Sequence, residues 1–324
     1  MVRQDGRFPP ISLRVSVTDR CQLRCVYCTP AGGVRRFPAA AVLRDEEILA
    51  FVRLLRTHFD LGKVHLTGGE PLLRRGIAAL AAALAREGGA DLALTTNGQR
   101  LGDLAPALRR AGLGRVNVTL NTLRPAVFRA LSGGGALART LDGVEAARRA
   151  GLRVKINATV LRGLNDGELI EMAQYGMERG LEVRFIELMP IGVAARHHAR
   201  WFVPSSAVLD RLGERFILEP LPRRLGSSCR QFEALDPAGR RGVVSVLSPC
   251  TRPFCGDCRR LRLTARGELV GCLAAGGRED ILGLLRGADG PEDEKVLESV
   301  RTVMRRKRQD TRFSNPRCMV QVGG

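Results

Sequence analysis

Aromatic side chains and lysine are both scarce in this chain of 324 residues. Phe, Tyr and Trp make up 4% of the sequence, so few rings are available to stack on nucleic-acid bases. Only four of the 52 basic residues are lysines, and the remaining 48 are arginines scattered along the chain; the lysines are Lys63, Lys155, Lys295 and Lys307. The net charge of +19 therefore does not by itself predict a nucleic-acid partner, because a small anionic substrate accounts for several arginines equally well.

Long apolar runs and an export signal are missing as well. The longest apolar stretch, IAALAAALA at 77–85, is too short to span a bilayer, and we expect no membrane segment. The amino-terminal stretch MVRQDGRFPP has no apolar segment of the secretory kind, so we expect a cytoplasmic protein. Nine cysteines in such a chain argue against a disulfide framework and favour metal or redox chemistry.

Hydrophobic periodicity predicts strands that alternate with amphipathic helices. The predicted strands are 11–17, 63–67, 91–96, 115–120, 152–161 and 181–188. The predicted helices are 45–59, 73–88, 101–112, 125–131, 137–150 and 166–180. This order predicts parallel βα units. Because a closed barrel of eight units usually needs about 250 residues, we expect an α/β fold built as a partial (β/α)6 TIM-like barrel.

The rhythm changes after Trp201. One more helix is predicted over 205–218, followed by a stretch rich in Pro, Gly and Cys with short strands at 242–248 and 260–264, and by a helix and basic tail from 292. We therefore predict a barrel domain over 1–215 and a smaller C-terminal α+β domain over 216–324. His197 and His198, in ARHHAR, are interpreted as solvated residues of a polar loop.

Unusual motifs stand where five of the predicted strands end. A cysteine triplet follows the first strand and GGEP (68–71) follows the second; TTNG (95–98), TLN (119–121) and ELMP (187–190) end the third, fourth and sixth. Active sites of parallel βα folds form at the carboxyl ends of the strands. The sequence therefore predicts an active site at this edge.

Cys21, Cys25 and Cys28 form a C-x3-C-x2-C triplet. An iron–sulfur cube is usually held by four cysteines, so three leave one iron open to bind a substrate or cofactor. The alternative is a zinc site that borrows a distant fourth ligand.

Cys255, Cys258 and Cys272 form a second triplet, which could also be a fragment of a zinc ribbon. Arg260 and Arg262 alternate on the strand predicted beside it, so both guanidinium groups face one side and suit phosphate. The isolated Cys229, Cys250 and Cys318 are interpreted as small buried residues or free thiols.

The first triplet, placed after the first strand of a six-unit βα chain, resembles that of the radical S-adenosylmethionine (SAM) enzymes. This resemblance implies a 4Fe-4S cluster on Cys21, Cys25 and Cys28 whose open iron binds SAM, and reductive cleavage of SAM to a 5′-deoxyadenosyl radical. It also implies SAM contacts at Tyr27, Gly69, Thr119 and Met189.

The wider motif set resembles the GTP 3′,8-cyclase family of molybdenum cofactor biosynthesis. The motifs are LRVSVTDRCQLRCVYC, LTGGEPLLRR, TTNG, RVNVTLN, RVKINATV, GLND, VRFIELMP, CGDCRRLRL and the final Gly323-Gly324. The resemblance implies abstraction of the ribose C3′ hydrogen of GTP and attack on C8, giving 3′,8-cyclo-7,8-dihydro-GTP.

The same resemblance implies how the site residues are divided. A second 4Fe-4S cluster on Cys255, Cys258 and Cys272 would bind the guanine. GTP contacts are implied at Arg14, His65, Thr95, Lys155, Arg260 and Arg262, and catalytic roles for Arg260, Arg262, Gly323 and Gly324. The implied partners are an external electron donor and a downstream cyclic pyranopterin monophosphate synthase, and a homodimer is left open.

This sequence departs from the family pattern at four places, of which two are Gln22, in place of a common asparagine, and the tail MVQVGG, which keeps the glycines with altered neighbours. His65 stands where the family commonly has an arginine, and TLN at 119–121 replaces the usual SLD. Two other readings remain open: a radical SAM peptide modifier with an auxiliary cluster, and a non-enzymatic zinc- and nucleic-acid-binding protein.

Overall fold

The computed structural model of the protein describes residues 10–34, 36–223, 226–275, 277–287, 290–307, 313 and 317–319. The helices in this part of the chain are α1 (Asp45–His58), α2 (Ile77–Arg86), α3 (Leu101–Arg110), α4 (Pro125–Ser132), α5 (Leu137–Arg149), α6 (Leu169–Arg179), α7 (Val193–Trp201), α8 (Ser205–Gly213), α9 (Leu282–Leu285) and α10 (Asp293–Arg305). The strands are β1 (Ile11–Ser16), β2 (Leu61–Thr67), β3 (Asp91–Thr96), β4 (Arg115–Thr119), β5 (Arg153–Val160), β6 (Glu182–Glu187), β7 (Ile217–Pro220), β8 (Arg230–Leu235), β9 (Arg241–Leu247), β10 (Arg260–Leu263), β11 (Glu268–Val270) and β12 (Arg278–Asp280).

All these strands belong to one sheet, in the order β12-β11-β10-β1-β2-β3-β4-β5-β6-β9-β8-β7. Strands β10, β1 to β6 and β9 run parallel, and the outer strands on both sides are antiparallel. Within the described residues the sheet does not close, so the prediction of an open, partial α/β barrel is confirmed.

The C-terminal part of the chain contributes strands to both edges of this sheet. β9 pairs with β6, and β10 pairs with β1, in each case in parallel. The site edge is thereby two strands wider than the six-unit barrel that periodicity predicts. Division of the chain into domains at residue 215 stays a prediction.

Alternation along the strands separates the core from the site. On β1, Leu13 and Val15 are fully buried in the hydrophobic core, while the intervening Arg14 lines a cavity on the opposite face. The helices cover the core face; Phe51 of α1 and Leu80 of α2 are buried there. α1 begins with Asp45, Glu46 and Glu47, whose charges stabilise its amino-terminal end.

The segment ARHHAR is helical, which corrects its interpretation as a polar loop. It forms most of α7, where the His197 ring stacks on Trp201 at 4.4 Å between centroids. His198 Nε2 lies 3.0 Å from the Leu188 carbonyl oxygen. The sequence ARHHAR has no apolar periodicity from which a helix could be predicted. Its ring contact is the stacking of His197 on Trp201, which a hydrophobicity pattern does not register. No helix among the described residues has both the length and the apolarity that crossing a bilayer requires.

Candidate active site

One cavity opens at the carboxyl ends of the parallel strands. It is lined by residues of β1 to β6, β9 and β10 and of the loops that follow them, so the sheet curves around it. The predicted site residues that line it are Arg14, Cys21, Cys25, Tyr27, Cys28, Gly69, Thr95, Thr119, Met189, Arg260 and Arg262. Gly323 and Gly324 lie outside the described residues.

The first cysteine triplet lies on a loop that α4 holds in place. The backbone N–H groups of Arg24 and Val26 donate to the carbonyl oxygens of Ser132 and Leu131, at 2.9 and 3.0 Å. Burial raises the pKa of the Cys25 thiol, and the neighbouring Cys28 and Cys21 raise it further. Three thiols are therefore gathered in one desolvated place, where only a cationic partner would stabilise them as thiolates.

Three cysteine thiols on one loop form a donor set that an iron–sulfur cluster accepts. Among the described residues, no group of three or more His, Cys, Asp or Glu side chains is placed to hold one metal ion. A single zinc draws all its ligands to one point, whereas a cluster carries them on separate irons. Cys21, Cys25 and Cys28 all line the cavity, and a cluster held by these three thiols would keep one iron open.

The GGEP loop packs directly on the chain that leads into this triplet. Gly69 N–H donates to Thr18 O at 2.8 Å, and Glu70 N–H donates to Arg20 O at 2.7 Å. A Cβ on Gly69 would lie 2.4 Å from that Arg20 oxygen, so any side chain there would force the two loops apart. Glycine at 69 follows from this close approach.

Glu70 ties the GGEP loop to the loop after β3. Its carboxylate accepts hydrogen bonds from Leu72 N, Thr96 Oγ1 and Asn97 N, at 3.0, 2.7 and 2.8 Å. Burial raises the pKa of Glu70 to about 7 in spite of these donors. The sequence motif pointed to the loop, but not to this connection.

Tyr27 is positioned by Asn121, the residue at which TLN departs from SLD. Asn121 Nδ2 donates to the Tyr27 hydroxyl at 2.8 Å, and Asn121 Oδ1 accepts from Thr159 N–H at 2.9 Å. The ring of Tyr27 thereby stands beside the triplet in the cavity wall.

Positive charge gathers on the opposite side of the cavity. Arg14 pairs with Arg262 of β10 and with His65 of β2 in the parallel ladder. Burial, with neighbouring Arg260, lowers the pKa of Arg262 to about 10, and burial followed by Arg260 and Arg262 lowers that of Arg14. Arg262 is 5% exposed, and its buried Nε has no hydrogen-bond partner among the described residues. Guanidinium groups held together in this way favour a ligand with several negative charges.

Arg184 belongs to this group, although the sequence did not single it out. It lines the cavity from β6 and donates to Glu182 Oε1 at 3.0 Å. Its Nε is buried and finds no hydrogen-bond partner in the part of the chain that the structure describes. Arg184 stands between Val183 and Phe185, which are buried, so strand alternation places its side chain on the other face of β6.

His65 and Lys155 lie beneath the lining rather than in it. His65 is buried, with Nε2 2.7 Å from Thr95 Oγ1, and burial followed by Arg14 lowers its pKa well below the usual value. Lys155 forms an ion pair with Glu182. His65 is therefore neutral at physiological pH and adds no charge to the arginine group.

The second triplet lies behind the arginine pair. Cys258 N–H donates to Cys255 O at 3.2 Å, and Arg262 is close enough to Cys258 and Cys272 to interact with both electrostatically. Burial alone would raise the pKa of Cys258, but Lys307 lowers it below the usual value. A thiol favoured as thiolate suits iron coordination. Cys229 and Cys318 are buried, and burial raises the pKa of Cys250 to about 12.

An open parallel barrel that presents a cysteine triplet and a glycine loop at its carboxyl edge defines the class, and family models agree. Residues 15–176 match the Radical SAM superfamily, and residues 181–313 match the family described as Molybdenum Cofactor Synthesis C. Relatives named GTP 3′,8-cyclase cover nearly the whole chain. That of Pelotomaculum thermopropionicum is 41% identical over 96% of this chain and 97% of its own, and that of Moorella thermoacetica is 40% identical over the same shares. The chain belongs to the radical SAM superfamily and, within it, to the GTP 3′,8-cyclase family.

Solved structures support the fold. Streptococcus suis SuiB bound to S-adenosylmethionine matches with a TM-score of 0.57 and 16% identity, over 84% of this chain. The chain spans 63% of that protein's length. The crystal structure of SuiB with its precursor peptide SuiA gives a TM-score of 0.59 at 14% identity, over 84% of this chain and 62% of that one. At these identities the likeness shows the fold alone.

Proposed function

We propose that this protein is a GTP 3′,8-cyclase, which converts GTP into 3′,8-cyclo-7,8-dihydro-GTP in the first step of molybdenum cofactor biosynthesis. Its cofactors are SAM and two 4Fe-4S clusters. One observation carries the proposal: four arginines, Arg14, Arg184, Arg260 and Arg262, share a cavity with the first cysteine triplet. A polyphosphate and a SAM-binding cluster thus have complementary surfaces in one enclosed space.

The roles of the residues follow from their positions around the cavity. Cys21, Cys25 and Cys28 would hold the first cluster, and Tyr27, Gly69, Thr119 and Met189 would orient SAM beside it. When bound there, SAM supplies the 5′-deoxyadenosyl radical that removes the ribose C3′ hydrogen. Cys255, Cys258 and Cys272 would hold the second cluster, which would supply an open iron for the guanine.

The arginine residues on one side of the cavity bind the triphosphate. Arg14, Arg260 and Arg262, with Arg184, neutralise its charge and fix the ribose toward the first cluster. Thr95 adds a hydroxyl donor at the cavity wall, and His65 acts through Thr95 as a neutral group. Lys155 acts from beneath the lining, through an ion pair with Glu182, which also pairs with Arg184. We assign Gly323 and Gly324 a catalytic role on the family resemblance alone, since both lie outside the described residues.

The experiment is anaerobic. The protein is reconstituted with iron and sulfide, reduced, and given SAM with or without GTP, and 5′-deoxyadenosine and any isomer of GTP are quantified. GTP-dependent 5′-deoxyadenosine together with an isomer of GTP is expected. 5′-Deoxyadenosine formation indifferent to GTP would overturn the substrate assignment while keeping the radical chemistry.

A deletion separates the tail from the clusters. Removing Gly323 and Gly324 should abolish the GTP isomer and leave both clusters loaded. Undiminished product would overturn the role of the tail.

The remaining assignments are partners and location. We propose an external electron donor, because the radical step needs one electron that GTP and SAM do not supply. A downstream cyclic pyranopterin monophosphate synthase would consume the product, and the enzyme would act in the cytoplasm. A homodimer is testable by sedimentation of the reconstituted protein.

A further inference from the structure

Lys307 lies against a cysteine of the second triplet. Its Nζ donates to the Cys258 carbonyl oxygen at 2.6 Å and lies 3.5 Å from Cys258 Sγ. In sequence Lys307 looked like part of a basic tail, yet it is half-buried and follows α10 directly. One ammonium group therefore reaches both the backbone and the sulfur of a cluster ligand.

The local backbone makes room for this contact. A Cβ on Gly271 would lie 2.7 Å from Val303 O, in the last turns of α10, and 3.4 Å from Lys307 Cγ. Because position 271 carries no side chain, the end of α10 approaches the strand end that leads into Cys272. The stem of Lys307 thus passes beside Gly271, the residue before the predicted ligand Cys272, and its ammonium group ends on another predicted ligand, Cys258.

The choice of lysine is informative in a chain with only four lysines among 52 basic residues. Lys295 is on the surface, with 70% of its side chain exposed, whereas Lys63 and Lys155 lie on barrel strands with side chains 37% and 27% exposed. A compact ammonium has three donors on one atom, so it can serve an oxygen and a sulfur together. The donors of a planar guanidinium are spread over three nitrogen atoms, so a single nitrogen would not serve the oxygen and the sulfur in the same way.

We propose that Lys307 is a positioning residue for the second cluster: its hydrogen bond and charge on Cys258 raise the cluster's reduction potential. The inference rests on the proposed function, which assigns Cys255, Cys258 and Cys272 to that cluster. Hydrogen bonds and positive charge at a ligand sulfur stabilise the reduced, more negative state of an iron–sulfur centre.

The test isolates the second cluster in the full-length chain. Cys21, Cys25 and Cys28 are replaced by Ala, the protein is reconstituted, and the midpoint potential is measured by redox titration with EPR detection. The series is wild type at 307, K307M, K307R and the surface control K295M. K307M should lower the midpoint potential. K307R, which keeps the charge but not the compact donor geometry, should restore part of it, and K295M should leave it unchanged.

The outcomes are separable. A K307M protein with full iron content and an unchanged midpoint overturns the proposal, as does an equal shift in K295M. If K307M does not bind the second cluster, K307Q is measured instead. A K307Q protein that binds the cluster and has a lowered midpoint potential supports the proposal. An unchanged midpoint potential, or failure to bind the cluster, overturns it in favour of a purely structural contact. Absence of any cluster in the triple-alanine background with Lys307 intact would instead overturn the ligand assignment of the proposed function.

Discussion

Arg14 on β1 stands directly opposite Arg262 on β10 in the parallel ladder, and both side chains line the same cavity. The pKa of each guanidinium is lowered; burial is the largest cause for both, and the positive charge of Arg260 is the next. The site therefore carries repulsion that an anionic ligand relieves. Removing one of these charges should consequently stabilise the ligand-free protein and weaken its affinity for an anionic ligand.

Replacing Arg262 by Met tests this opposition. R262M should raise the free energy of unfolding of the ligand-free, cluster-free protein by about 1–3 kcal/mol, because an uncompensated buried charge is replaced by an apolar chain of similar length. It should also weaken GTP binding about tenfold or more, since a charged contact of roughly 1.5–3 kcal/mol is lost. Urea unfolding and calorimetric titration with GTP measure the two quantities.

The exposed Arg110, at the end of α3, provides the matched control. R110M should change neither quantity beyond about 0.5 kcal/mol. A destabilised R262M that keeps its affinity for GTP would contradict the argument.

Gly69 gives a second prediction. G69A introduces a Cβ 2.4 Å from Arg20 O, so the GGEP loop and the loop before the triplet must separate. We expect a loss of about 1–3 kcal/mol in the free energy of unfolding and weaker SAM binding by the reconstituted protein. A Cβ on Gly62 of β2 would meet no heavy atom of the described residues within 4 Å, so G62A is the control. Equal losses of stability and of SAM affinity in G69A and G62A would contradict the steric explanation.

The part of the fold that periodicity predicted is the part where apolar alternation is unbroken. β1 to β6 lie within two residues of the predicted bounds, because buried Leu, Val and Ile alternate there with cavity-lining residues. β7 and β8 were missed: Glu219 and Pro220 in β7 and Gln231 and Glu233 in β8 break the apolar pattern at an exposed edge. β8 is held in an extended conformation by pairing with β9, which the local sequence does not predict.

The site divides in the same way. Residues in contiguous motifs, such as Cys21, Cys25 and Gly69, could be found from spacing and resemblance. Arg184 and Lys307 could not, because each acts through a neighbour far along the chain: Arg184 joins Arg14 across the barrel, and Lys307 reaches Cys258. Such pairs are created by the sheet order and by the packing of α10, which periodicity does not encode.

Asn121 supplies a third prediction. N121L removes both side-chain hydrogen bonds, to the Tyr27 hydroxyl and from Thr159 N–H, so the ring loses its anchor. At about 1 kcal/mol for each of the two bonds, SAM affinity of the reconstituted protein should fall by up to about thirtyfold. N121D is the conservative variant. Its carboxylate can accept hydrogen bonds from Thr159 N–H and from the Tyr27 hydroxyl, so SAM affinity should stay within about threefold of wild type. Wild-type affinity in N121L would show that Tyr27 needs no such anchor.

Glu70 makes the protein's stability depend on pH in a defined direction. Burial raises the pKa of its carboxyl from 4.5 to about 7, while the unfolded chain keeps the ordinary value. Between these values the folded state binds more protons than the unfolded state. The stabilising contribution is therefore complete below about pH 4.5 and is lost as the pH rises through about 7.

E70Q should remove this dependence. The free energy of unfolding of the cluster-free wild-type protein, minus that of E70Q, should fall by up to about 3 kcal/mol as the pH rises from 4.5 to 8, since each unit of pKa shift corresponds to about 1.4 kcal/mol. Urea unfolding at pH steps across that range measures the difference. E46Q, at an exposed position on α1, should show no such trend relative to wild type. A difference between wild type and E70Q that rises with pH would mean that the hydrogen bonds from Leu72, Thr96 and Asn97 outweigh burial and hold Glu70 ionised.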